Sequence, residues 1–174
     1  MVRQIINLVL LLSCLSVNAQ KYLAEDGVIS FFSEAPMEDI SAVNKKVLAV
    51  FNLATNDLVF QLKISDFIFQ KSLMQEHFNE NYLESDIYPR STFIGKLIQN
   101  KNGKATVQGD LTIHGQTNKI TVEGVMLQNK KSIVVSSEFA VKLEDYNIKI
   151  PKIVMYKIAE EIEINVNIEL KVVK

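Results

Sequence analysis

The sequence predicts an all-β protein, an antiparallel barrel of eight strands with one short helix between the third and fourth. Three observations predict it. From Glu161 to Val172 every even position is apolar and every odd one is charged or an amide. This alternation gives a strand with one dry face and one wet face. The same period recurs upstream, in Ala105–Ile113, Ile133–Leu143 and Leu58–Ile64. Short polar connections separate these runs, among them Thr55-Asn56-Asp57, Asn100-Lys101-Asn102-Gly103, Gly115-Gln116-Thr117-Asn118 and Asn129-Lys130-Lys131. Half-wet strands joined by short turns build an antiparallel meander, because parallel strands are covered on both faces.

Weaker runs at Val28–Ser33, Val47–Leu53, Thr92–Gln99 and Asn118–Leu127 bring the expected number of strands to eight. A single open sheet of this kind would leave its dry face in water, so it closes into a barrel or splits into a two-sheet sandwich. Between the third and fourth strands, Lys71–Glu84 is rich in helix formers. Its Met74, Phe78 and Tyr82 recur at spacing four, which places them on one face of a helix packed over the barrel or its end. The stretch from Asp145 to Glu160 is apolar without a period and contains Pro151, which breaks a regular ladder.

Residues 1–19 are expected to be an export signal, leaving 20–174 as one domain. Arg3 begins the segment, Ile5–Val17 is apolar, and Val17-Asn18-Ala19 offers small side chains at the peptidase subsites. The apolar run is shorter than the ~20 residues of a membrane-spanning helix. Cys14, the only cysteine, allows a second reading as a lipid-bearing residue, although Leu12 is bulky where a small residue is usual. Cleavage after Ala19 would leave a chain without cysteine, in keeping with a periplasmic or secreted location.

The chain has 174 residues, 19 Lys and Arg against 20 Asp and Glu, and 48% hydrophobic residues. That balance lacks the basic footprint of a nucleic-acid binder and gives no reason to expect a nucleic-acid partner. The six glycines form no Gly-x-Gly, so there is neither a dinucleotide fingerprint nor a phosphate loop, and there is no Gly-x-Ser-x-Gly elbow. His77 stands beside Glu76, Glu80 and Glu84 at helical spacing. A hard-metal site could be drawn there, but a solvated helix face is the simpler reading and no metal is expected. His114 directly precedes Gly115 and reads as a hydrogen-bonding turn residue. No catalytic residue and no cofactor are expected.

What remains is apolar content. The inward set is Phe31 in the first strand, Phe51 in the second, Phe60 and Leu62 in the third, and Phe93 and Leu97 in the fourth. Leu111 and Ile113 follow in the fifth, Val122 in the sixth, Phe139 and Val141 in the seventh, and Ile164, Val166 and Ile168 in the last. These side chains either pack into a solid core or surround a dry tunnel that takes a hydrocarbon chain. Composition by itself favours the solid core.

Two segments resemble a known family. Tyr82-Leu83-Glu84-Ser85-Asp86-Ile87-Tyr88-Pro89-Arg90-Ser91-Thr92-Phe93-Ile94-Gly95 and Gly109-Asp110-Leu111-Thr112-Ile113-His114-Gly115-Gln116-Thr117-Asn118-Lys119 are similar to the Tyr-Pro region and the Gly-x-Leu-Thr hairpin of the YceI-like family. Phe139, Tyr146-Asn147-Ile148 and the last strand follow in that family's order. The resemblance extends from about residue 26 to 173. It departs after the first strand, where Ser33-Glu34-Ala35-Pro36-Met37-Glu38 contains no His. The resemblance implies an exported, non-enzymatic lipocalin-like barrel whose lumen carries or sequesters an amphiphilic lipid with a long, polyisoprenoid-like chain. A homodimer is compatible with it, and no stable membrane span is. The alternatives are a filled barrel acting through its outer surface as an interaction or stress-response protein, and a hydrolase or isomerase using carboxylates or His114.

Overall fold

The computed structural model describes residues 20–34, 39–150 and 159–173. The expected export signal at 1–19, with Cys14, and Pro151 lie outside these residues. The strands are β1 (Lys21–Ser33), β2 (Ile40–Asn52), β3 (Asp57–Lys63), β4 (Ile68–Phe69), β5 (Arg90–Lys101), β6 (Lys104–Ile113), β7 (Gln116–Gln128), β8 (Ser132–Lys142) and β9 (Glu161–Val172). Pairing runs β1-β9-β8-β7-β6-β5-β3-β2, and β2 pairs back onto β1, so eight strands close an antiparallel barrel. The two-residue β4 lies beside β2 through Ala42↔Phe69 and Val43↔Ile68. Closure through the β1–β2 pairing leaves neither of these strands as a free sheet edge and gathers the dry faces of the eight strands inside.

Two strands begin earlier than their alternation suggested, for a physical reason in each case. In β1 the register against β2 shifts on either side of Gly27. Tyr22 and Ala24 point inward before this bulge, whereas Ile29, Phe31 and Ser33 do so after it, and the change of parity hides the strand's first half. In β2 the buried Asn44 breaks the apolar pattern. Its Nδ2 donates to the Lys63 carbonyl at 2.9 Å and its Oδ1 accepts from the Lys46 amide at 2.9 Å, so the amide is buried with its partners made. The helical segment also differs from a single 71–84 helix. α1 covers Ser72–His77 and passes into a wider π-type turn at Phe78–Tyr82.

The two ends of the barrel are unlike. At the end carrying the β2–β3 and β5–β6 turns, Tyr22, Phe51, Ile133, Ile168 and Leu170 are buried in a solid layer. Gln128 Nε2 donates to the Tyr22 hydroxyl at 3.1 Å. The opposite end carries β4, α1, the β6–β7 turn and the segment that follows β8. Among the described residues no helix is long and apolar enough to cross a membrane.

Candidate functional site

Above the solid layer the lumen is hollow. A cavity of about 530 Å³, within the range of small-molecule sites, is bordered mainly by Phe, Ile, Leu, Val and Met side chains. It is neither sealed nor a flat groove. Its width depends on a pair of glycines. Gly95 and Gly109 face each other across β5 and β6. A Cβ at either position would stand 2.6 or 2.8 Å from Phe93 Cζ, so the Phe93 ring lies over the glycine pair, against the wall. Phe60 stacks beside it with ring centroids 6.1 Å apart.

Toward the α1 end, four rings from separate elements meet. Phe31 lies 5.4 Å from Phe67, 5.7 Å from Phe69 and 5.5 Å from Phe78 between centroids. Phe78 in turn lies 4.9 Å from Phe69 and 5.6 Å from Phe67. Edge-to-face and tilted contacts of this kind stabilise by about 0.5–1.5 kcal/mol each beyond area burial. They fasten β4 and the helical segment over this part of the lumen. Met74, Phe78 and Tyr82 all border the cavity, so the face read from their spacing is the one turned inward. Burial pushes the Tyr82 hydroxyl above its ordinary pKa.

Of the inward set proposed from sequence, Phe31, Phe60, Leu62, Phe93, Leu111, Ile113, Val122, Phe139, Val141, Ile164 and Val166 border the cavity. Phe51, Leu97 and Ile168 do not. Phe51 and Ile168 belong to the solid layer, each 1% exposed, and Leu97 packs against the core beside it. Strand parity gives the face and not the height along the barrel, which is why these three could not be separated from the rest. Residues unforeseen as lining include Leu58, Ile64, Phe67, Phe69, Met126 and Val135. Leu58 and Val135 share the parity of Phe60 and Phe139 on their own strands, whereas Phe69 sits on a two-residue strand and Phe67 just before it, where no period can show.

The polar groups near the lumen hold structure. His114 is 8% exposed with φ +49° and forms a two-residue turn with Gly115 at φ +72°. Its Nε2 meets Glu84 Oε2 at 2.8 Å and its Nδ1 meets the Tyr146 carbonyl at 3.2 Å. The Tyr88 ring packs edge-on at 4.5 Å. His114 thus ties the β6–β7 turn to the end of the helical segment and to the turn at Glu144–Tyr146. Gly115 leaves room for the same Tyr88 ring, which would stand 2.6 Å from a Cβ there. Glu84 is engaged by His114, and no group of three or more metal-ligating side chains comes together among the described residues.

A closed antiparallel barrel with a solid base and a hollow apolar upper half belongs to the class of lumen-containing β-barrels. Residues 25–170 match the model of the YceI-like domain. The chain belongs to the YceI-like family. Among solved structures it is similar to a polyisoprenoid-binding domain from Saccharophagus degradans implicated in plant cell wall breakdown. That likeness has 10% identity and a TM-score of 0.75, covering 89% of this chain and 99% of that one. BcnA from Burkholderia cenocepacia is 18% identical with a TM-score of 0.72, over 83% of this chain and 95% of that one. The YceI protein of Campylobacter jejuni is 23% identical with a TM-score of 0.63, over 75% and 83%. At these identities the likeness is one of fold. No curated protein matches the chain by sequence.

Proposed function

We propose that this protein is a non-enzymatic carrier that holds an amphiphilic lipid by its apolar chain inside the barrel. The observation that carries the reading is the hollow upper lumen, bordered by Phe31, Phe60, Phe93, Phe139 and aliphatic neighbours, in a chain of the YceI-like family. The polyisoprenoid-binding neighbour supports a long, branched hydrocarbon as the ligand class. The physics is desolvation, since each buried CH₂ contributes about 0.8 kcal/mol before the costs of association. The ligand-contacting residues are taken to be those of the sequence set that border the cavity. Export to the periplasm or medium, directed by residues 1–19, completes the reading.

Native mass spectrometry of protein purified from its own host tests it. A co-purifying lipid of defined mass is expected. A clean apo mass after incubation with total lipid extract would instead favour a barrel that acts through its outer surface.

A further inference from the structure

The barrel wall is not paired along its whole height. β7 and β8 pair only from Gly124↔Ser137 to Gln128↔Ile133. Both strands continue past Gly124 and Ser137, β7 on its ladder with β6 as far as Gln116 and β8 on its ladder with β9 as far as Lys142. Extending their mutual register would set Glu123 opposite Glu138, Val122 opposite Phe139, Ile120 opposite Val141 and Lys119 opposite Lys142. None of these pairs is made. The first and last of them join like charges on the outer face, and like charges directly opposite each other weaken an antiparallel pair. Elsewhere in the described ladders like charges face each other at Lys63↔Arg90 and Lys101↔Lys104, and both stand at the last pair of a ladder. Glu123 and Glu138 are exposed, and neither has an ion-pair partner among the described residues.

Both margins of the parting border the cavity, through Val122, Glu123 and Gly124 on one side and Ser137, Phe139 and Val141 on the other. The parting is crossed at its far end by the segment after β8. There Asn118 Nδ2 donates to the Asp145 carbonyl at 2.7 Å, and the Tyr146 carbonyl meets His114. Between this crossing and Gly124 the unpaired edge of β7 runs about five residues, roughly 16 Å.

We propose that the parting is a lateral opening of the lumen, held apart by Glu123 and Glu138, through which a lipid chain enters and leaves sideways. The seam is a feature of the wall itself. Its use as a route rests on the carrier reading above.

The test is a charge-reversal cycle in a Cys14→Ser background. A thiol placed at the lumen side of the seam by Ser137→Cys reports access through the reaction rate of N-ethylmaleimide. Either Glu123→Lys or Glu138→Lys creates an opposite-charge pair and is expected to slow labelling about five- to tenfold. The combined Glu123→Lys/Glu138→Lys change restores like charges and should restore the rate, which separates seam closure from general damage to the fold. Without the Ser137→Cys change, transfer of pyrene-labelled dodecanol to phosphatidylcholine vesicles should slow and recover in the same order. Equal labelling rates in all four proteins overturn the opening. Labelling that responds while lipid transfer does not overturns its role as the route. If the unaltered protein takes up no pyrene-dodecanol, the carrier reading fails and the route with it, while labelling still decides whether the seam opens.

Discussion

The affinity of the lumen for simple amphiphiles should rise with chain length in fixed steps and then stop. The upper cavity is bordered mainly by hydrocarbon, with the Phe93 ring against one side, Phe60 stacked beside it, and the Phe31, Phe67, Phe69 and Phe78 cluster near the α1 end. Each methylene that enters leaves water for such surroundings and contributes about 0.8 kcal/mol, about a fourfold gain in affinity at 25 °C. The chamber ends at the layer of Tyr22, Phe51, Ile133, Ile168 and Leu170, so the gain must cease once the chain reaches it. Isothermal titration calorimetry with a series of 1-alkanols from octanol upward reads both features. It should also show a negative heat-capacity change that grows with chain length until the break. A dependence weaker than about 1.5-fold per methylene from the shortest member on would refute the argument, because apolar burial could then not be the driving force.

Three further outcomes follow from particular side chains. Phe60→Asp or Phe139→Asp places a carboxylate against the bound chain and should weaken alkanol binding at least about 100-fold, with far-UV circular dichroism unchanged; retained binding in both would remove these residues from the site. His114→Ala loses the contacts to Glu84 and Tyr146 and puts alanine at a positive φ, so unfolding in urea should show a loss of about 2 kcal/mol. His114→Asn, which tolerates that φ, should lose less, and equal values for the two would show that the strain argument fails. Asp57 is held below the ordinary carboxylate pKa by its hydrogen bond to Lys96, then by Thr55, and the Lys96 ion pair measures 2.8 Å. Its folded-state pKa being the lower one, its stabilisation is full above the unfolded value and fades as pH falls through the folded one. The stability difference between the protein and Asp57→Asn should therefore be small at neutral pH, reduced by salt, and absent in strong acid; a difference that persists in acid would point to another cause.

Alternation alone was enough to read the class of fold. A side chain on a strand faces one way or the other, and the runs from Glu161, Ala105, Ile133 and Leu58 state which residues share a face without reference to any partner. Met74, Phe78 and Tyr82 likewise declared their common face, even though α1 ends at His77 and a wider turn carries the last two. Where a local irregularity reset the period, the strand was hidden, as at the Gly27 bulge and the buried Asn44. The bulge, and the Lys63 carbonyl that accepts from the Asn44 amide, depend on a neighbouring strand, and sequence order does not reveal it.

What the sequence by itself determined was therefore orientation: which side chains are dry, where the chain turns, and which family's motifs it carries. Height along the barrel and the presence of a hollow belong to the tertiary structure. Phe51 and Phe60 read alike as inward aromatics, yet one is fixed in the solid base and the other borders the cavity, because strand stagger sets the level each reaches. The width of the hollow at Phe93 depends on Gly95 and Gly109 meeting across two strands so that the ring can lie against the wall. Local pattern encodes direction, whereas volume arises only when separate strands are brought together.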